Sequence, residues 1–270
     1  MSVFGLASKQ LKSWFSLSDL NPATVAMLEQ NVTQAGPNYR SFKRSPQAME
    51  AVLMRNQELL TVANEDMLLV NSGIGIPHLF IVTDPYGIAI RIIGEKEIVE
   101  RLQSFEIDIG SSFAYEYAGI NGVSLAMHLQ GTVVVQDNEH TLAFYKNWAC
   151  VCSPVRLCDE ICGYVDLSFH TDVDVTFAVP LLNKMIEKME SSLRENRARI
   201  RKKSEHGRFD AYHLSNREQE VALGWLQNKS VLQMAHTMGI TEGTIRNVLK
   251  KVYAKTGVND KGQFFRKFLK

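Results

Sequence analysis

Arg246, Asn247 and Lys250 are the side chains whose types and spacing speak most directly of chemistry. An arginine fork matches the two acceptors on a guanine edge, and an asparagine amide matches adenine. On a helix, these three fall opposite Ile245, Val248, Leu249 and Val252, so burial of the apolar side would leave them facing a partner. Thr241 and Thr244 at the start of that helix, with Lys229, Ser230 and Lys251, have the donors to hold phosphates. The partner this chemistry expects is double-stranded DNA, met in its major groove.

A second group could do different chemistry. Cys150, Cys152, Cys158 and Cys162 are the chain's only cysteines and lie within thirteen residues. They raise a redox- or metal-sensing alternative, or a thiol enzyme using Cys150. If Cys158 sits in a hairpin turn, Cys162 comes opposite about Arg156, and Cys152 is four residues further along. At a strand rise of ~3.3 Å that is about 13 Å, so two separate pairs are expected rather than one four-ligand site. Small buried thiols are the plainer expectation. The reading therefore assigns no metal ligands, no catalytic residues and no cofactor. Tyr115, His140, Tyr145 and Trp148 complete the candidates, as an aromatic lining with one polar handle for a small-molecule pocket.

The elements that must position the first group are three short amphipathic segments. Arg217 to Gln227 carries Val221, Ala222, Trp225 and Leu226; Ser230 to Met238 carries Val231, Met234, Ala235 and Met238; Gly239 stops that segment. Thr241 caps the next, which opens on Glu242 and carries Lys250, Lys251 and Lys255 toward its end, as the helix dipole favours. Two helices across a tight glycine turn, the second basic, describe a helix-turn-helix. The strings LSNREQEV, GITEGTIR and KTGV, in that order and spacing, resemble the LuxR/GerE-type DNA-binding domain. The resemblance covers about the last fifth of the chain and implies base reading by Arg246, Asn247 and Lys250. The family usually has His at the position of Val248, Asn at Lys251 and Gly at Asn228, and its Asn-Arg pair stands here as Asp260-Lys261.

In the front half, Ala23 to Val32 reads as a short helix after Asn21-Pro22, ended by Gly36-Pro37-Asn38, and Pro46 to Val70 as one longer helix. Strands are expected at His78–Asp84, Ile88–Ile93, Thr132–Gln136, Cys150–Arg156 and Gly163–Phe169. Helices are expected at Glu95–Ser104 and Asn121–Leu129. This order fits an α+β sensor, an antiparallel sheet flanked by helices. FIVTDPYGIAIRIIG, YEYAGINGVSLAMHLQGTVVV, NEH, WACVCSPV and GYVDLS resemble the GAF-type sensor domain that fronts acetoin/glycerol-type transcriptional activators. The family's Gly-Thr-Asn-Ala is Gly119-Ile120-Asn121-Gly122 here. Those activators carry an ATPase module next, and no G-x-x-x-x-G-K-[ST] occurs in this sequence.

Leu182, Ile186, Met189, Leu193, Asn196 and Ile200 step by four and three, the spacing of a coiled-coil seam, so a parallel dimerising helix is expected. Ser204-Glu-His-Gly207 reads as a linker. Four parts result: a helical segment 1–72, a GAF-like sensor 73–181, a dimerisation helix and linker 182–210, and the DNA-binding domain 211–270. Charge follows the same division. Residues 181–270 hold 19 Lys and Arg against 9 Asp and Glu, whereas 1–180 hold 11 against 20, although the chain's net charge is only +1. Apolar content of 45 % suits ordinary cores. No apolar run reaches ~18 residues, and Met1 to Leu11 has no signal-peptide pattern, so a cytoplasmic address and no membrane partner are expected. The whole reads as a one-component transcriptional regulator, a homodimer on DNA answering a small-molecule effector, and not an enzyme. A receiver domain is excluded by the order of elements in residues 1–180. An acyl-homoserine-lactone receptor would share only the tail.

Overall fold

Strands rich in Val, Ile and Phe, buried on both faces, can only be satisfied by cores above and below a sheet. A computed structural model, describing residues 13–30 and 42–268, shows that arrangement. The chain divides into two units, Met1–Arg194 and Glu195–Lys270. In the first, six strands form one sheet: β1 Phe15–Ser16, β2 His78–Thr83, β3 Ala89–Gly94, β4 Val133–Gln136, β5 Trp148–Leu157 and β6 Glu160–His170, in the order β1-β4-β5-β6-β2-β3. Every pairing is antiparallel except β1 with β4. The two-residue β1 carries no periodic signal, and the sequence reading has no strand there.

One face of the sheet packs on α2 (Pro46–Arg55), α3 (Gln57–Gly73) and α7 (Ala178–Asp210), through Val52, Leu59, Ala63, Met67, Leu182 and Met189 against Phe80, Val151, Leu167 and Phe169. The other packs on α4 (Lys96–Ser104), α5 (Tyr115–Ala118) and α6 (Gly122–Leu129), with α1 (Pro22–Gln30) contributing Leu28. Asn121 caps α6: its Oδ1 accepts from the Ser124 amide at 3.0 Å, and Ser124 Oγ accepts from the Asn121 amide at 2.9 Å.

Four expectations need correction. The single helix over Pro46 to Val70 is two, because the Asn56 side chain donates to the Val52 carbonyl at 2.8 Å and the backbone there leaves helical geometry. Within the expected segment 1–72, the described helices α2 and α3 do not stand apart from the sensor but supply part of the core of the first unit. The first four positions of the expected coiled-coil seam, Leu182, Ile186, Met189 and Leu193, are not free for a second copy, because they are buried in that same core, which uses the four-three spacing to follow the sheet. The linker at Ser204–Gly207 is helical, within α7. The break at Gly36-Pro37-Asn38 and the stretch Met1 to Leu11 lie outside the described residues. No described helix is long and apolar enough to cross a membrane.

In the second unit, α8 (Asn216–Leu226), α9 (Val231–Met238), α10 (Glu242–Thr256) and α11 (Lys261–Phe268) are all-helical. Val221, Met234, Ala235, Ile245 and Leu249 form one core cluster; Phe209, Leu214, Ala222, Val252, Phe264 and Phe268 form another. α11 is missing from the sequence reading, although Phe264 and Phe268, four apart, announce its buried face.

Candidate DNA-binding surface and buried cavity

The geometry of α10 follows from its ends. Thr241 Oγ1 accepts from the Thr244 amide at 3.2 Å, and Gly257 closes the helix at φ 66°. Gly239, at φ 63°, makes the sharp exit from α9 that brings α10 across it, in the left-handed region that favours glycine. Ile245, Leu249 and Val252 are buried, which leaves Arg246, Asn247, Lys250 and Lys251 exposed on the outer side. Thr241, Thr244, Lys229 and Ser230 are exposed at the adjoining helix starts. Ser230 Oγ accepts from the Gln233 amide at 3.1 Å, so its hydroxyl proton remains available to an outside acceptor. Arg246 rests on Glu242 at 3.1 Å, a pair exposed enough to be exchanged cheaply.

Lys255 behaves differently from its neighbours. It reaches Glu218 Oε2 at 2.6 Å and the His213 carbonyl at 3.0 Å, tying α10 to the start of α8. The hydrogen bond from Lys255 holds the Glu218 carboxyl below its usual range. Lys261 sits 4.2 Å from the Trp225 ring centre and donates to Asn228 Oδ1 at 2.7 Å. Asn228 stands at φ 59°, which explains why Asn can replace the family's Gly there.

Residues 212–268 match the family described as bacterial regulatory proteins, luxR family. That segment is a LuxR-type regulatory domain. Two curated relatives match over other lengths. The propane 2-monooxygenase operon transcriptional activator MimR of Mycolicibacterium smegmatis is 26% identical over 124 residues, 45% of this chain and 21% of its own. A signal-transduction and transcriptional-control protein of Clostridium beijerinckii is 23% identical over 145 residues, 53% of this chain and 23% of its own. The chain thus spans only about a fifth of the length of these relatives. Among solved structures, the Escherichia coli DhaR(N)-DhaL complex superposes with a TM-score of 0.64 at 14% identity, over 70% of this chain and 66% of that one. The likeness to it is one of fold.

A second site lies inside the first unit, between the sheet and α6. His140, Tyr145 and Trp148 line a cavity of about 20 Å³ together with Leu79, Phe113, Gly122, Cys150, Asp166 and Ser168. Tyr115, grouped with them by sequence, instead lines a separate cleft with Arg44 and His128. Asp166 and Ser168 are absent from the sequence reading. The strand alternation Tyr164-Val-Asp166-Leu-Ser168 carries the signal, because it puts both on the face of Cys150 and Cys152, to which they are paired across β5 and β6.

The polar groups of this cavity form one chain. His140 Nδ1 lies 3.1 Å from the Asp137 carbonyl, which can only accept, so that nitrogen carries the proton. Its Nε2 accepts from the Cys150 thiol at 3.3 Å. Ser168 Oγ lies 2.5 Å from Asp166 Oδ2 and 3.2 Å from Cys150 Sγ. Burial lowers the His140 pKa to about 4 and pushes Asp166 up to about 7, against the lowering effect of the Ser168 bond. Burial, and then the neighbouring Asp166, push the Cys150 and Cys152 thiols well up. A protonated, enclosed thiol is a poor nucleophile and a poor metal ligand. Cys158 is in the exposed hairpin turn, at φ 53°, and Cys162 sits at the bulge where Val155 pairs Gly163 but Arg156 pairs Ile161. Among the described residues no three His, Cys, Asp or Glu side chains are grouped to hold a metal.

Proposed function

We propose that the chain is a one-component transcription regulator in which the second unit binds operator DNA and the first senses a small molecule. The observation that carries the reading is the division of α10: Ile245, Leu249 and Val252 packed inward, Arg246, Asn247, Lys250 and Lys251 outward. In this reading α10 enters the major groove, Arg246 and Asn247 read base edges, Lys250 joins them, and Lys229, Ser230, Thr241, Thr244 and Lys251 hold phosphates. The relatives named as transcriptional activators support regulation as the task. The aromatic cavity around His140, Tyr145 and Trp148 is the input site, and no catalytic step is assigned to either unit.

The regulator works as a homodimer, since two copies of the helix-turn-helix suit two half-sites about one helical turn apart. With the four-three spacing of α7 spent on the core, the exposed Leu68 and Leu69 on α3, 54% and 66% accessible, supply the apolar contact. The reading places the protein in the cytoplasm with its DNA. Selection of bound duplexes from a random pool by the full chain tests it. A defined, two-fold symmetric sequence is expected, and its recovery should depend on Arg246. Enrichment of no sequence, with binding that salt alone abolishes, overturns the assignment.

A further inference from the structure

Three aromatic rings stand open to solvent around one concavity of the first unit. Tyr86 is 73% accessible, Tyr117 41% and Phe42 38%. All three line the open cleft that Tyr115, Arg44 and His128 also border, a space of about 460 Å³. That volume lies within the range of small-molecule sites. The backbone holds these walls in place. Asp84 Oδ1 accepts from the Tyr86 and Ile88 amides, each at 2.9 Å, which pins the turn carrying Tyr86. Gly87, at φ 76°, lets that turn close on α6: a Cβ there would fall 2.9 Å from Met127 Sδ and 3.1 Å from the Ala114 nitrogen. Phe42 and Tyr117 stack with ring centres 4.3 Å apart.

The polar groups of the cleft are sorted by strand alternation. Residues 42–44 run antiparallel to 110–112. The Ser112 amide donates to the Phe42 carbonyl at 2.9 Å, the Arg44 amide to the Gly110 carbonyl at 3.0 Å, and Lys43 bridges Ser111. Alternation puts Phe42, Arg44 and Ser112 on one face of this ribbon and Lys43 on the other. Lys43 is neutralised by Asp108 at 3.8 Å. Arg44 has no carboxylate partner among the described residues, and its guanidinium carbon lies 5.8 Å from the Phe42 ring centre. Ser112 is 2% exposed; its Oγ accepts from the Ala114 amide at 3.3 Å, and among the described residues no acceptor takes its proton. A guanidinium and a buried hydroxyl proton thus both lack an acceptor on the face that the rings border.

We infer that this cleft binds a small aromatic carboxylate, its ring against Tyr86 and the Phe42–Tyr117 pair and its oxygens on Arg44 and Ser112. An arginine fork suits a carboxylate, and the exposed rings gain by covering one another. Acetate would satisfy the donors and leave the rings wet. An arylamine could meet the exposed Glu116 on the cleft, but it would leave Arg44 and Ser112 without an acceptor. The site is separate from the cavity proposed as the input. Both draw on α6, which gives Ser124 and Met127 to the cleft and Gly122 and Val123 to the cavity.

Calorimetric titration of the full chain with benzoate and phenylacetate tests this, with acetate, benzamide and benzylamine as controls. At least one ring carboxylate should bind about tenfold or more tightly than every control. Arg44→Gln, an exposed change, should weaken it about tenfold. Lys43→Gln removes the same charge from the opposite face and should leave it unchanged. Tyr86→Ala should weaken the ring carboxylate and leave any acetate binding as it was. The inference is overturned if neither ring carboxylate binds, or if acetate, benzamide or benzylamine binds as well. It is equally overturned if Arg44→Gln has no effect, which places the ligand elsewhere, or if Lys43→Gln weakens binding as much, which leaves only a general effect of charge. None of these outcomes touches the DNA-binding assignment, which is read from the duplex selection.

Discussion

Asp166 and His140 share a cavity but answer acid in opposite senses. The folded-state pKa of Asp166 is raised to about 7, so the protonated form is favoured in the fold. Its contribution is fully present below the unfolded value near 3.8 and is lost as pH rises through about 7. His140 is lowered to about 4 from 6.5, so its contribution is present above 6.5 and lost as pH falls through about 4. Between these limits the two partly cancel. Asp166→Asn removes the first, and should raise the melting temperature at pH 8 by the equivalent of up to about 4 kcal/mol, three pKa units at ~1.4 kcal/mol each. The gain should shrink toward pH 5. Equal gains at both pH values would show that Asp166 is not held protonated by the fold. On the other unit, Arg246→Ala should cost ~1–3 kcal/mol at one base pair of the selected site and relax preference there, measured by competition among single-base variants. The loss of its pair with Glu242 should leave stability within about 0.5 kcal/mol, because both partners are exposed.

At the scale of elements, the tie between α8 and α10 is the contact whose removal should be felt most. Glu218 accepts from Lys255 and from the Ser215 amide at 2.8 Å, and it is nearly buried. Lys255→Met strands that carboxylate, and should cost about 2 kcal/mol in urea unfolding at pH 7. Because the Glu218 pKa is lowered, its contribution is present above the unfolded value near 4.5 and is lost as pH falls below it, so the deficit of Lys255→Met should narrow in acid. Sequence alone showed Lys255 as one of several basic residues near a helix end. Which lysine meets DNA and which meets Glu218 depends on where α8 crosses α10, and no local pattern encodes that. The helices themselves were legible because apolar residues recur at helical spacing, with Gly239 a stop and Thr241 a cap; the fold adds Ser215 and Ser230 as caps and Gly257 as a second stop. The seam on α7 misled for the converse reason. Spacing of four and three identifies a buried stripe, and a sheet covers such a stripe as well as a second helix does. Asp166 was equally within reach of period-two reading, yet its significance lies in a neighbour 44 positions away, Gly122, whose missing Cβ only the fold brings against it.

For the whole molecule, charge and copy number are linked. If the second unit binds DNA as proposed, the excess of basic residues after position 180 should make that affinity steeply salt-dependent, since each neutralised phosphate releases counterions. That dependence also counts chains. A lysine on one phosphate contributes about one unit to the slope of log affinity against log salt. Lys251→Ala should therefore reduce the slope by about two if two copies sit on the operator, and by about one if a single copy does. Leu68→Lys with Leu69→Lys places charge on the exposed apolar pair of α3, and should return the reduction to one while leaving the core residues Ala63 and Met67 untouched. Sedimentation of the same variants without DNA gives an independent reading of mass. A reduction of two that survives the Leu68 and Leu69 changes, in a protein that still sediments as a dimer, would mean that the copies meet through another surface. A reduction of one in the parent chain would mean that one helix-turn-helix suffices and that the two-fold operator is wrong.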